Sequence, residues 1–254
     1  MVLSERLHII ANQIQKGQTM ADIGTDHGFL PLYLWENGVC PKVIMTDVSE
    51  ASLSKARGAF QSQMIRDEDV HFRCGDGLAV IERNEVNVVV IAGMGGVLMT
   101  QILGADLAKT LSFDKYILQP RNGSGKLRFW LEKAGFEIES ECFAEEGKFI
   151  CEILVVIPPT NFTEKDKVAI ADMKEKVMSL AILENYPDTI QYEIPRNLQL
   201  GSENIFNLFI NKKLNIEKNI LNAMVCGEIA QKEKINKIKE RIEFLESILH
   251  NNAQ

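Results

Sequence analysis

Between about residue 19 and residue 157, short apolar runs rich in β-branched residues alternate with stretches whose apolar positions recur at helical spacing. The runs predict strands over Thr19–Gly24, Lys42–Asp47, Val70–Cys74, Val86–Ala92, Lys115–Gln119, Phe136–Cys142 and Phe149–Ile157. The periodic stretches predict helices over roughly Leu30–Asn37, Glu50–Met64, Leu98–Ala108 and Gly125–Ala134. Strands alternating with helices of this length imply crossover connections and an α/β fold, a doubly wound and mostly parallel sheet covered on both faces. Pro31 falls near a helix start, where its missing N–H costs nothing, and Ser124 is a candidate N-cap. Only Ala144–Lys148 separate the last two runs, which predicts an antiparallel hairpin at one sheet edge.

The pattern changes after Pro158-Pro159, where β-rich runs cease and Lys, Glu, Asn, Ile and Leu dominate. From Leu214 to His250 apolar residues such as Ile235, Ile238, Ile242, Leu245 and Leu249 keep helical spacing, predicting one or two long helices. Two domains are therefore expected, an α/β domain over residues 1–158 and a helical, coiled-coil-like domain over residues 159–254.

Composition narrows the class. With 254 residues, 46% hydrophobic and 25% charged, the chain is ordinary globular material rather than disordered or fibrous. Its apolar stretches fall well short of the roughly 20 residues a membrane span needs. The start, Met1 to Arg6, carries an acid and no cleavage site, so a cytoplasmic location is expected. Five scattered cysteines without a C-x-x-C pair fit reduced thiols, and four histidines without ligand spacing give no metal site. The net charge of −7 argues against wholesale coating by nucleic acid while leaving local basic patches open.

Candidate chemistry gathers at strand ends. The first strand runs into Ala21-Asp22-Ile23-Gly24-Thr25-Asp26-His27-Gly28, a glycine turn that lets backbone approach a ligand, without the G-x-G-x-x-G of dinucleotide enzymes. The acid inside that strand, Asp22, suits a ligand that bears a positive charge and no phosphate; S-adenosylmethionine fits. Asp47 closes the second strand, where a carboxylate can accept both ribose hydroxyls. Asp76, in Cys74-Gly75-Asp76-Gly77, follows the third strand and can accept from an adenine amine. The fourth strand enters Ile91-Ala92-Gly93-Met94-Gly95-Gly96, which opens space beside a cofactor's reactive end. Taken singly, each of these also fits a turn, a cap or a flexible loop.

Together, Ser4-Glu5-Arg6-Leu7, Asp22 to Pro31, Ile91 to Gly96 and Ile117-Leu118-Gln119-Pro120 resemble the bacterial TrmK family. The resemblance implies a class I Rossmann-like methyltransferase that uses S-adenosyl-L-methionine to methylate N1 of adenine 22 in tRNA. It implies cofactor contacts from Arg6, Asp22, Gly24, Thr25, Asp26 and His27, then Asp47 and Val48, Gly75, Asp76 and Gly77, and Ala92 and Gly93. Asp26, Gly93 and Met94 would stand nearest the chemistry. The basic residues Arg121, Lys126, Arg128, Lys232, Lys237 and Arg241 are candidates for a tRNA track reading shape and phosphates, against the plain alternative of solvated helix surface. A monomer or weak dimer without metal or membrane is expected.

The Ala92–Gly96 string has no side-chain acceptor and no aromatic plate, unlike enzymes that methylate exocyclic amines. A ring nitrogen such as adenine N1 already has an in-plane lone pair and needs alignment more than proton removal, so no general base is assigned. His27 is either a loop histidine or a residue at the pocket mouth. Phe29, Phe149 and Trp130 can stack a flipped base, although the spacing of Trp130 with Leu127 favours core packing for Trp130. Two other readings stay open, a methyltransferase of a small molecule or protein and a non-catalytic cofactor-binding RNA module.

Overall fold

The computed structural model describes residues 1–60, 68–159, 181–187, 189–225 and 232–251. The first helix is α1 (Glu5–Asn12), followed by β1 (Met20–Ile23), α2 (Phe29–Glu36), β2 (Val43–Asp47), α3 (Glu50–Phe60) and β3 (Val70–Cys74). The second half of the domain adds β4 (Val88–Gly95), α4 (Gly96–Ala105), α5 (Leu107–Thr110), β5 (Lys115–Asn122), α6 (Ser124–Lys133), β6 (Glu137–Glu146) and β7 (Phe149–Ile157). The strands form one sheet in the order β3-β2-β1-β4-β5-β7-β6. β1 to β5 run parallel, while β7 pairs antiparallel with both β5 and β6. The doubly wound sheet and the edge hairpin are those the alternating pattern implies.

Burial explains the order. Val88, Val89, Val90 and Ile91 of β4 are all fully buried, as a central strand covered on both faces requires. On one face Ile23, Ile44 and Ile91 pack with Met99, Leu103, Leu127 and Trp130 from α4 and α6. On the other, Met20, Met45 and Val90 pack with Ile10, Leu30, Leu53 and Phe60 from α1, α2 and α3. Trp130 is thus a core residue, and Phe149 is exposed on the hairpin.

Several boundaries differ for local reasons. α1 has a short polar start in sequence, but Ser4 caps it by accepting from the Leu7 N–H at 3.4 Å. Ser124 is the first helical residue rather than the cap. Gly123 holds the cap position at φ 65°, and the Ser124 hydroxyl donates instead to Glu152 at 2.8 Å. β4 reaches Gly95 through register shifts around Met94. The end of the helix expected over Glu50–Met64 lies outside the described residues beyond Phe60, as do the start of the helical region at 160–180 and residues 226–231 within the expected Leu214–His250 stretch.

Two long helices, Glu203–Val225 and Lys232–Asn251, pack Ile210 and Leu214 against Ile242 and Leu245. The same apolar cluster takes in Phe143 of β6 together with Ile190 and Ile194. The chain before these helices covers the sheet edge: the Glu141 N–H donates to the Asn197 carbonyl at 2.7 Å and the Gln199 N–H to the Glu141 carbonyl at 2.9 Å. An exposed edge strand is a template for unwanted pairing, and this segment closes it.

Arg128 and Arg241 correct the expectation of a basic surface track. Arg128 is 3% exposed, because α6 turns it inward onto Glu141 at 2.7 Å, Glu152 at 2.6 Å and the Tyr192 carbonyl at 3.2 Å. Arg241 reaches across the two long helices to Glu217, with Nη2 at 2.7 Å from the carboxylate. Arg128 is therefore not presented as a phosphate contact, while Arg241, part-exposed, is ion-paired to Glu217. Removing one partner from a buried ionic cluster strands the others, so Arg128→Met should lower the unfolding free energy by about 3–5 kcal/mol in urea titration. A loss below about 1 kcal/mol would contradict this account of Arg128.

Candidate active site

Every candidate residue expected around the cofactor, apart from Arg6 on α1, sits at or just beyond the carboxyl end of β1, β2, β3 or β4. β1 stops at Ile23, and Gly24 turns the chain with φ 77°. The turn is pinned because the Gly24 and Thr25 N–H groups both donate to the Thr46 carbonyl, at 2.8 and 2.9 Å. The left-handed φ of Gly24 is what an L side chain would strain there, while the flexible Met94 side chain of β4 reaches over the same spot. Gly28, at φ 67°, caps α2, with Ala56 and the Met45 sulfur 3.0 and 3.2 Å from where a Cβ would stand.

Asp22 is the most perturbed acid of the site. Burial between strands pushes its carboxyl up to about 6, and Asp47 nearby adds to this, while the Thr25 hydroxyl hydrogen bond and Arg6 oppose it. At neutral pH it is still largely ionised and poorly solvated, an electrostatic setting that favours a cation. Asp47 accepts the Ser49 N–H at 2.7 Å, and its carbonyl takes the Gly75 N–H at 3.0 Å, tying the ends of β2 and β3 together. Val48 beside it is exposed. Asp76 opens a short 3-10 turn, Gly77–Val80, in which Gly77 has φ 50°.

The fourth-strand end is shaped by a left-handed residue. Gly93 has φ 76°, nothing lies within 4 Å of where its Cβ would be, and its N–H donates to Gln119 at 3.1 Å. The result is a gap lined by backbone beside Met94 and Ala92. Arg6 reaches the same place from α1, with Nη1 at 3.1 Å from the Gln119 carbonyl oxygen and Nε at 3.0 Å from Glu146. Outside the gap, Asp26 is exposed, accepts from Lys55 at 3.0 Å and lies 3.2 Å from His27 Nε2. The Lys55 hydrogen bond holds the Asp26 carboxyl below the usual range, which makes it a weak base. The His27 ring stacks on Phe29 at 5.2 Å and 11°.

Arg121 and Lys126 are exposed at the end of β5 and the start of α6, and Lys232 and Lys237 are exposed on the last helix. The sequence gives no signal for Lys55 or Glu146, and Gln119, buried here, stands in the Ile117–Pro120 motif without a role assigned to it. The available signal was an amide at the end of an otherwise apolar strand, directly before Pro120. Among the described residues no cluster of three or more His, Cys, Asp or Glu is arranged to hold a metal. No described helix is long and apolar enough to cross a membrane.

Because the folded state binds the Asp22 proton more tightly than the ordinary value of 3.8 allows, protonation stabilises the fold. That contribution is complete below the ordinary value and is lost as pH rises through about 6. Asp22→Asn is neutral at every pH. It should match the parent near pH 4 and exceed it by about 1–3 kcal/mol at pH 7–8 in unfolding titrations, since each tenfold change in proton affinity is worth about 1.4 kcal/mol. A pH-independent difference would contradict the burial of this charge.

Comparison with known proteins agrees with this geometry. A methyltransferase domain model matches residues 3–154. The chain is 35% identical over 153 residues to the tRNA (adenine(22)-N(1))-methyltransferase of Bacillus subtilis, covering 60% of this chain and 64% of that relative. The match therefore spans less than two-thirds of that relative's length. The crystal structure of the B. subtilis m1A22 tRNA methyltransferase TrmK superposes with a TM-score of 0.72 at 27% identity, covering 98% of this chain and 99% of the other. Streptococcus pneumoniae Sp1610 in complex with S-adenosyl-L-methionine also gives 0.72 at 27% identity, over 98% of this chain and 100% of the other. The resemblance to TrmK read from the motifs thus extends to the fold of both regions of the chain. With its first 150 or so residues matched by the domain model and its acids and glycines set at the ends of a sheet of this order, the chain belongs to the methyltransferase domain family.

Proposed function

We propose that the protein transfers a methyl group from S-adenosyl-L-methionine to N1 of adenine 22 in tRNA. The observation that carries this reading is the placement of two interacting acids, Asp22 and Asp47, at strand ends near Gly93, where open space stands in place of a side chain. These residues fit the cofactor. Asp47 suits the ribose hydroxyls, Asp76 the adenine amine, and Asp22 with the Gly24–His27 turn the positively charged amino-acid end. When bound, the cofactor supplies an electrophilic methyl group on a sulfonium.

The protein's own residues orient and shield. Adenine N1 is unprotonated at neutral pH, so the site needs no base, and the Lys55-held Asp26 is poorly suited to be one. Asp26→Asn should then slow turnover about 10- to 100-fold by disturbing the loop, less than loss of a general base at the top of its 10²–10⁴ range. The pairing edge of adenine must leave any duplex to reach Gly93, and the exposed Phe29–His27 stack offers it an aromatic surface. The product, 1-methyladenosine, is a cation.

Residues 1–158 serve as the catalytic domain, and the helical region over 159–254 positions tRNA through the exposed Lys232 and Lys237 together with Arg121 and Lys126. The region is packed onto Phe143 and Glu141 of β6, so charge reversal is a cleaner probe than deletion. The enzyme works in the cytoplasm, where its substrate is, as a monomer or weak dimer.

The function is tested by incubating the protein with labelled S-adenosylmethionine and tRNA and identifying the nucleoside. 1-Methyladenosine is expected; N6-methyladenosine, a methylated guanosine or no transfer would defeat the reading. Asp47→Ala should weaken cofactor binding by about 1.5–3 kcal/mol in calorimetry, the scale of losing a charged hydrogen-bond acceptor. Reversing Lys232 and Lys237 should weaken binding across tRNAs and flatten its dependence on salt.

A further inference from the structure

Gln119 is 2% exposed and both ends of its amide are engaged. Its carbonyl oxygen accepts from Arg6 Nη1 and from the Gly93 N–H, each at 3.1 Å, and its amide nitrogen donates to the Pro120 carbonyl at 3.1 Å. Two donors on one end and an acceptor on the other fix which way the amide faces. The peptide that Gln119 grips joins Ala92 to Gly93 at the left-handed point of β4. That peptide is trans and planar, so its carbonyl, on Ala92, points opposite to the N–H that Gln119 holds.

The surroundings leave that carbonyl a role. Pairing of β1 with β4 ends at Ile23 opposite Ile91, so β1 no longer flanks β4 at Ala92. Gly93 has open space where a side chain would be, and no other side chain fixes this peptide in the described hydrogen bonds. The β4–β5 pairing shifts register between Ala92 and Met94, so the regular ladder does not set this peptide, and a glycine there can turn unless something holds it.

We infer that Gln119 is a positioning residue: it turns the Ala92–Gly93 peptide so that the Ala92 carbonyl faces the crevice and accepts from the exocyclic amine of the target base. This rests on the adenine-N1 reading. It adds a specific device to it, since the amine sits next to N1 and one hydrogen bond there sets the angle at which N1 meets the methyl group. Misplacement by about an ångström costs on the order of a hundredfold in rate. The same bond discriminates against a base that carries a carbonyl in place of the amine, because two acceptors would then face each other.

The test is a double cycle with single-turnover methylation. One axis is Gln119→Met, an unbranched replacement of similar size. The other is tRNA with purine riboside, which lacks the amine, at the target position. Each change alone should slow methylation about 10- to 100-fold, and both together should slow it no more than the larger of the two. The variant should still bind S-adenosylmethionine, losing less in affinity than it loses in methylation rate, which a general collapse of the site would not allow. Losses that multiply, or a Gln119→Met enzyme with unchanged rate, would overturn the inference. If Gln119→Met does not fold, Gln119→Glu, which keeps the oxygen for both donors, replaces it; it should retain the full penalty for the missing amine, and loss of that penalty would overturn the inference. A parent enzyme that methylates no adenine would instead overturn the reading on which this one stands.

Discussion

Everything in the site depends on one constraint, the reversal of strand order between β1 and β4. Right-handed crossovers carry the chain outward from β1 to β2 and β3 on one side and from β4 to β5 on the other, so the loops after β1 and β4 leave in opposite directions. A crevice must open between them at the carboxyl ends. Gly24 and Gly93, both left-handed, border it. Neither loop could carry an ordinary side chain at these two positions without strain.

Charge is also held where water is scarce. Asp22 costs the fold stability at neutral pH and, among the described residues, has no ion-pair partner within hydrogen-bond reach; its hydroxyl partner Thr25 and the more distant Arg6 only soften that cost. Such an arrangement is typical of binding sites, in which the missing compensation arrives with the ligand. Arg128 shows the opposite solution. Its guanidinium is deeply buried and fully answered by Glu141, Glu152 and a backbone carbonyl, so it holds α6, the hairpin and the helical region together and is not available to a partner.

Much of this was legible in the sequence because the relevant signals are local. Apolar runs ending in acid or glycine marked the strand ends, and Asp22, Asp47 and Asp76 stand where that pattern put them, whereas Gly93, expected just past the fourth strand, lies inside β4, which runs on to Gly95. What was not legible depends on which way a helix or an amide faces. Arg128 is one basic residue among several on a charged stretch, and nothing within α6 reveals that two carboxylates from β6 and β7 wait on its inner side. Gln119 reads as a polar interruption of a strand until α1 brings Arg6 alongside it from more than a hundred positions away. Ser124 looked like a cap because capping chemistry is local, but a distant Glu152 claimed its hydroxyl and left the turn to Gly123.

The central claim, that the four strand ends form one cofactor site at the β1–β4 reversal, is tested most directly by amide hydrogen exchange with and without S-adenosylmethionine. Added cofactor should slow exchange over residues 22–28, 46–49, 74–78 and 92–96 together, with the helices Glu203–Val225 and Lys232–Asn251 unchanged. Protection centred instead on the cavity between α6 and β6, around Glu137, Tyr192 and Asn197, or protection of one loop without the other three, would contradict it.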